Sequence, residues 1–135
     1  MARRYVIVGN GPAGFAAAET IRRHDEGGDI RIVGGENVGF YSRPGLAYLL
    51  TGAIPETRLF SRPESAYELA GIERTVGTVQ TVEPRSHRIE LADGKVLRYD
   101  RLLLAVGARA VRPELPGIDL EGVVTLDNLE DARNI

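Results

Sequence analysis

A chain of 135 residues has room for one modest domain and not for two complete ones. Its 17 basic and 19 acidic residues leave a formal charge of −2 with no run of one sign, which argues against nucleic acid or an anionic membrane as the main partner. There is no cysteine, which excludes disulfides, thiolate metal sites and any cysteine redox relay within the chain, and the lone His24 and His87 do not form a metal-ligand pattern.

The first residues have the basic start and apolar stretch of a secretory leader, but Asn10-Gly11-Pro12 interrupts the apolar run. The longest later run, Leu102 to Ala108, is far too short to span a bilayer, so a cytoplasmic protein without a membrane span is expected. Tyr5-Val6-Ile7-Val8 predicts a buried parallel strand. Pro12 suits the first turn of a helix that runs to His24, and Gly27-Gly28 stops it. The segment Ile30 to Glu36 gives the next strand, completing a strand–helix–strand unit of about thirty residues, the size of a right-handed crossover.

A loop at residues 39–45 then leads into a short apolar helix, with Pro44 near its start and Gly52 just past its end. Residues 61–71 read as another short helix, with Ser61 or Ser65 as its cap. From residue 72 the pattern turns to alternation, with turns at Arg85-Ser86 and at Ala92-Asp93-Gly94-Lys95; a three-stranded antiparallel meander over residues 79–99 is the simplest reading. The continuous apolar run at 101–107 predicts a strand buried on both faces. Pro113, Pro116 and Gly117 mark a boundary or linker, and residues 125–135 begin a helix capped by Thr125 or Asp127. That helix ends with the chain after about two turns, which reads as the unfinished element of a fragment.

The glycines at 9, 11 and 14 lie between the first strand and the first helix. Gly9 allows the tight turn out of the strand, Gly11 lets a pyrophosphate approach the backbone, and Gly14 lets the helix pack closely. Backbone N–H groups at the helix start, in the stretch Gly11-Pro12-Ala13-Gly14 where only Pro12 lacks one, would then face the phosphates at the positive end of the helix dipole. Glu36 lies 22 residues beyond Gly14, close to the spacing of about 20 expected for the carboxylate that binds the ribose hydroxyls. A carboxylate there accepts two hydroxyl hydrogen bonds and repels a 2′-phosphate; the plain alternative is a solvated loop acid. The motif reads only the ADP half, which FAD and NAD share.

Asp100, the apolar strand Leu102–Leu104, Ala105-Val106-Gly107, Pro113 and Pro116-Gly117 resemble the second fingerprint of the pyridine-nucleotide-dependent FAD oxidoreductases, the two-dinucleotide flavoproteins. Val106 departs from the usual threonine, which removes a hydroxyl but not the backbone contacts. The resemblance implies an α/β, Rossmann-like FAD/NAD(P)-binding fold: a parallel sheet with a three-stranded antiparallel β-meander as crossover, present as a partial domain. Residues 1–112 would be the first half of the FAD-binding domain. Residues 113–135 would be a linker and the start of a helix leading to an absent NAD(P)-binding domain.

The Tyr41-Ser42-Arg43-Pro44 stretch is similar to the rubredoxin, ferredoxin and nitrite reductase branch of that family, and the redox cysteine of the disulfide reductases is lacking. By that resemblance Arg43 neutralises pyrophosphate charge or hydrogen-bonds the flavin ring, and Pro44 shapes the wall; the alternative for Arg43 is an ordinary surface arginine. Val79 matches the position whose backbone meets the adenine, or is plain strand core. Ala105 and Gly107 belong to the second fingerprint.

The implied activity passes electrons from NAD(P)H through tightly bound FAD to a protein or small-molecule acceptor, with no catalytic acid, base or metal in this chain. The implied partners are the remaining segments of a parent flavoprotein or a second subunit, and the chain alone is expected to retain flavin weakly and to be inactive. A non-catalytic nucleotide-binding subunit and an interaction module of a larger flavoprotein complex are the alternatives.

Overall fold

The computed structural model describes every residue from Met1 to Ile135. Its contacts divide the chain into two compact units, residues 1–40 with 62–107 and residues 41–61 with 108–135.

The first unit is built on a parallel sheet in the order β3-β2-β1-β7, from β1 (Arg4–Val8), β2 (Asp29–Gly34), β3 (Ile72–Val76) and β7 (Arg101–Leu104). Side chains alternate across it. Val6, Val8 and Val33 face one way, onto the antiparallel sheet of β4 (Val79–Glu83), β5 (Arg88–Leu91) and β6 (Val96–Arg98), where Ile89, Leu91, Leu97 and Tyr99 complete a core. Ile7, Ile30 and Ile32 face the other way, onto Phe15 and Ala18 of helix α1 (Pro12–His24) and Tyr67 of helix α3 (Ser65–Leu69). A central strand covered on both faces needs the unbroken β-branched run that residues 6–8 supply. The meander expected at 79–99 is present, and it carries the chain from β3 at one edge of the parallel sheet to β7 at the other.

Three expectations need correction. The run at 101–107 is not buried on both faces: β7 pairs only with β1, and Leu103 and Leu104 stand 39% and 57% exposed. Leu102 packs against one core and Ala105 against the other, while Leu103 lines an open groove of about 500 Å³ with Ala16, Ala17, Thr20 and Ile21 of α1. An apolar run reports what a strand is able to bury, not what covers it.

Helix α3 is not capped by Ser61 or Ser65. Ser65 is its first residue, and Glu64, in the cap position, already has helical dihedrals (φ −57°, ψ −36°) and makes no capping bond. Pro63 starts the turn instead, its carbonyl accepting from the Ala66 N–H at 3.0 Å.

The third correction lies in the second unit, which contains α2 (Leu46–Leu50), a 3₁₀ turn at Glu56–Leu59 that sequence reading missed, and α4 (Leu129–Asn134). The cap of α4 is Asn128 and neither Thr125 nor Asp127. Asn128 accepts from the Asp131 N–H at 2.9 Å, and the Asp131 carboxylate accepts from the N–H groups of Asn128 and Asp127 at 3.1 and 2.8 Å. Residues 108–135 pack with 41–61: the Leu129 N–H donates to the Tyr41 hydroxyl at 2.8 Å, and Arg133 pairs with Glu56. No helix of the chain is long and apolar enough to cross a membrane.

A clasp joins the start of β1 to the residue before β7. The Asp100 carboxylate accepts from the Arg4 N–H at 2.8 Å and from its guanidinium at 2.9 and 3.2 Å, while the Asp100 N–H donates to the Arg4 carbonyl at 2.8 Å. The Arg4 side chain, then its amide, hold the Asp100 carboxyl far below the usual carboxylate range. The folded chain therefore takes up that proton less readily than the unfolded chain does. The clasp contributes above the unfolded-state value, about pH 4, and is lost as the pH falls below it. Asp100→Asn is accordingly expected to flatten the acid limb of a stability–pH profile from urea unfolding. An acid limb as steep as that of the wild type would contradict it.

Candidate functional site

The turn from β1 into α1 brings the three glycines to the C-terminal ends of β1, β2 and β7, and they differ in what surrounds them. Gly9 has φ +118°, and a Cβ there would lie 2.0 Å from the Ala105 carbonyl oxygen just past β7. A Cβ on Gly14 would lie 2.0 Å from the Gly9 carbonyl oxygen and 3.3 Å from Ile7 Cγ2, so the helix seats directly on the turn. Gly11 differs from both: a Cβ there meets nothing within 4 Å. The first and third glycines serve chain-to-chain contact, and the middle one faces open space.

Gly11 is also the N-cap of α1, with no side-chain capping bond and no acid in the first turn. Pro12 has no amide hydrogen, so the N–H groups of Ala13 and Gly14 are those left without intrahelical acceptors. The 13-residue helix directs its positive end at the space beside Gly11.

Half-buried Glu36 sits in the loop that follows β2. Two sets of bonds hold that loop. At its base the Gly77 N–H donates to the Gly34 carbonyl at 2.8 Å, and Gly35 lies against Thr78, next to Val79. At its far end Asn10 Nδ2, from inside the glycine turn, donates to the Val38 carbonyl at 3.0 Å. The Tyr67 hydroxyl donates to Asn10 Oδ1 at 2.7 Å and accepts from the Phe40 N–H at 3.0 Å. Burial pushes the Tyr67 phenol up from its ordinary value, which keeps it a donor. Gly34 is confined by the same arrangement, since a Cβ there would lie 2.8 Å from Asn10 Cβ.

The first unit thus gathers Gly9, Gly11, Pro12, Ala13, Gly14, Glu36, Val79, Ala105 and Gly107. Half-buried Val79 opens β4 opposite Leu91 and packs on the core, leaving its backbone at the base of the Glu36 loop. The Ala105 N–H donates to the Val8 carbonyl at 2.7 Å, and Gly107 is exposed with φ +69°. Arg43 and Pro44 belong to the second unit, where Arg43 lies 5.4 Å over the Tyr41 ring and donates to the Asp127 carbonyl. Sequence reading missed Asn10 and Tyr67. They lie 57 residues apart, and no local pattern marks that pairing.

Residues 3–135 match the sequence pattern of the pyridine nucleotide-disulphide oxidoreductase family. A rubredoxin-NAD(+) reductase of Pseudomonas putida is 36% identical over 132 residues, which is 96% of this chain and 34% of that protein. The ferredoxin–NAD(+) reductase component of a 3-phenylpropionate/cinnamic acid dioxygenase from Photorhabdus laumondii is 39% identical over 134 residues, 97% of this chain and 34% of its own. The crystal structure of a ferredoxin reductase from Rhodopseudomonas palustris superimposes with a TM-score of 0.86 at 31% identity, covering 97% of this chain and 33% of that one. The chain spans about a third of the length of the relatives it matches.

Proposed function

Since the chain belongs to the pyridine nucleotide-disulphide oxidoreductase family, we propose that it is the FAD-binding portion of an NAD(P)H-dependent electron-transfer reductase. The observation that carries this reading is the uncapped start of α1, open at Gly11, with Glu36 on the loop that Asn10 bonds to the glycine turn. The site fits the ADP half of the cofactor. The N–H groups of Gly11, Ala13 and Gly14 would hold the pyrophosphate, Glu36 the adenosine ribose hydroxyls, and the Val79 backbone the adenine. Ala105 and Gly107, in the same unit, would contact the flavin side. Held there, FAD would supply the hydride-accepting and electron-passing chemistry that links NAD(P)H to an acceptor.

The chain's own residues bind and orient, and none of them serves as a catalytic acid or base. The rubredoxin and ferredoxin reductases among the relatives support a small redox protein as acceptor. The relatives' length and the open edge at β7 support completion of the domain by further segments of the protein or by a second subunit. NAD(P)H would bind in that remaining part.

The test is a titration of the chain with FAD and ADP, followed by flavin fluorescence and calorimetry. ADP should compete with FAD, and NADH should bleach the flavin only when the completing segments are supplied. Glu36→Ala should weaken ADP about 10- to 100-fold, the equivalent of roughly 1.5–3 kcal/mol of charge-assisted hydrogen bonding. It should also narrow the preference for ADP over its 2′-phosphorylated form. A change below about twofold would remove Glu36 from the site.

A further inference from the structure

We propose that Tyr67 and Asn10 form a clamp that sets the spacing between the glycine turn and the Glu36 loop, making Tyr67 a positioning residue for the dinucleotide. This rests on the reading of those two segments as the pyrophosphate and ribose sites. The clamp has a fixed hydrogen-bond direction. The Phe40 N–H can only donate, so it takes a lone pair of the Tyr67 hydroxyl and leaves the phenolic proton for Asn10 Oδ1. With Oδ1 so engaged, Asn10 presents its amide hydrogens to the Val38 carbonyl, which can only accept. The three bonds that link Phe40 to Val38 therefore run in one donor-to-acceptor direction. A serine, alanine or aspartate at position 10 does not reproduce it.

The position of this network sets it apart from ordinary core bonding. Asn10 stands between Gly9 and Gly11, and Val38 and Phe40 follow Glu36 by two and four residues. The two segments that would grip the two ends of ADP are therefore joined through one side chain, and a third element, α3, braces the joint. The Tyr67 ring is separately anchored: edge-on to Phe15 at 4.9 Å and beneath the Arg74 guanidinium at 4.6 Å, with Arg74 paired to Glu64. Removing the hydroxyl leaves that packing in place. It also leaves the base of the Glu36 loop tied through Gly34 to Gly77. What is lost is the bridge from Asn10 to the Phe40 N–H and the bond that orients Asn10 toward the Val38 carbonyl, so the tie between loop and turn loosens; a ligand that spans both must order them on binding, and a ligand that touches only the loop need not.

The experiment compares ADP with adenosine on the full chain, wild type against Tyr67→Phe, Asn10→Ala and the double variant, by calorimetry and NMR titration. Tyr67→Phe is expected to weaken ADP about 5- to 20-fold and adenosine less than twofold. The double variant should lose no more than the larger single change, because both break one tie. Equal weakening of ADP and adenosine, or ADP affinity within twofold of wild type, would overturn the clamp and leave the site reading intact. Wild-type chain with no saturable ADP binding would overturn both. Should Tyr67→Phe fold poorly, Asn10→Ala, at a half-buried position, carries the same ligand comparison.

Discussion

Gly11→Val is expected to abolish ADP binding, lowering affinity at least about 100-fold, while changing stability by no more than about 1 kcal/mol. Both halves follow from one position. Gly11 has φ −102°, a dihedral any residue adopts, and its missing Cβ would meet nothing within 4 Å. Valine is a poor N-cap and glycine a fair one, a difference of about 1 kcal/mol or less here because Gly11 makes no side-chain capping bond to lose. Its branched side chain would, however, fill the space in front of the Gly11, Ala13 and Gly14 amides, the space a pyrophosphate must enter to reach them. Urea unfolding and an ADP titration on the same preparation measure the two quantities. Retained ADP affinity would place the nucleotide elsewhere, and a collapse of stability would show that Gly11 is a packing glycine like its neighbours.

Gly14→Ala carries the opposite expectation: a loss of about 3 kcal/mol or more in stability and a fall in Tm of at least about 10 °C. The added methyl would sit 2.0 Å from the Gly9 carbonyl oxygen, a backbone atom, so relief requires α1 to lift off the turn. That movement would also disturb the packing of Phe15 and Ala18 on Ile7, Ile30 and Ile32. Gly9→Ala should be at least as damaging, because it adds strain at φ +118° to a 2.0 Å approach to the Ala105 carbonyl. A small shift in the urea midpoint at unchanged slope would contradict the close seating of helix on turn.

The parts of this fold legible in the sequence are those fixed by local chemistry. The run at 6–8, the glycine turn and the small residues of α1 specify a crossover unit without reference to anything distant. The hairpin turn at 92–95 sets the register of β5 and β6. The parts that were not legible depend on partners remote in sequence. Ile72–Val76 alternates well enough for either kind of sheet, and only its pairing with β2 makes it parallel. The leucines of β7 read as doubly buried, yet they lie at an edge of the sheet. At the caps several side chains compete: Pro63 starts α3 although serines lie nearby, and Asn128 outcompetes Thr125 and Asp127 because Asp131 stands three residues on to return the bond.

The site divides in the same way. Gly9, Gly11, Gly14 and Glu36 follow from a spacing, and the structure separates the two packing glycines, Gly9 and Gly14, from Gly11, which faces open space. Asn10 has no such signal. Its function as a link arises only when α3 carries Tyr67 to it, and a side chain reaching across 57 residues leaves no periodicity to read.

The central claim, that this unit cradles the ADP half of FAD, is tested most directly by an amide-resolved NMR titration of the chain with ADP, followed by displacement with FAD. The predicted result is saturable shifts at Gly11, Ala13 and Gly14, around Glu36 and at Val79, with the β4–β5 turn at Arg85-Ser86 unmoved and FAD displacing ADP from the same amides. Saturable shifts confined to other residues, or none at millimolar ADP, would contradict it.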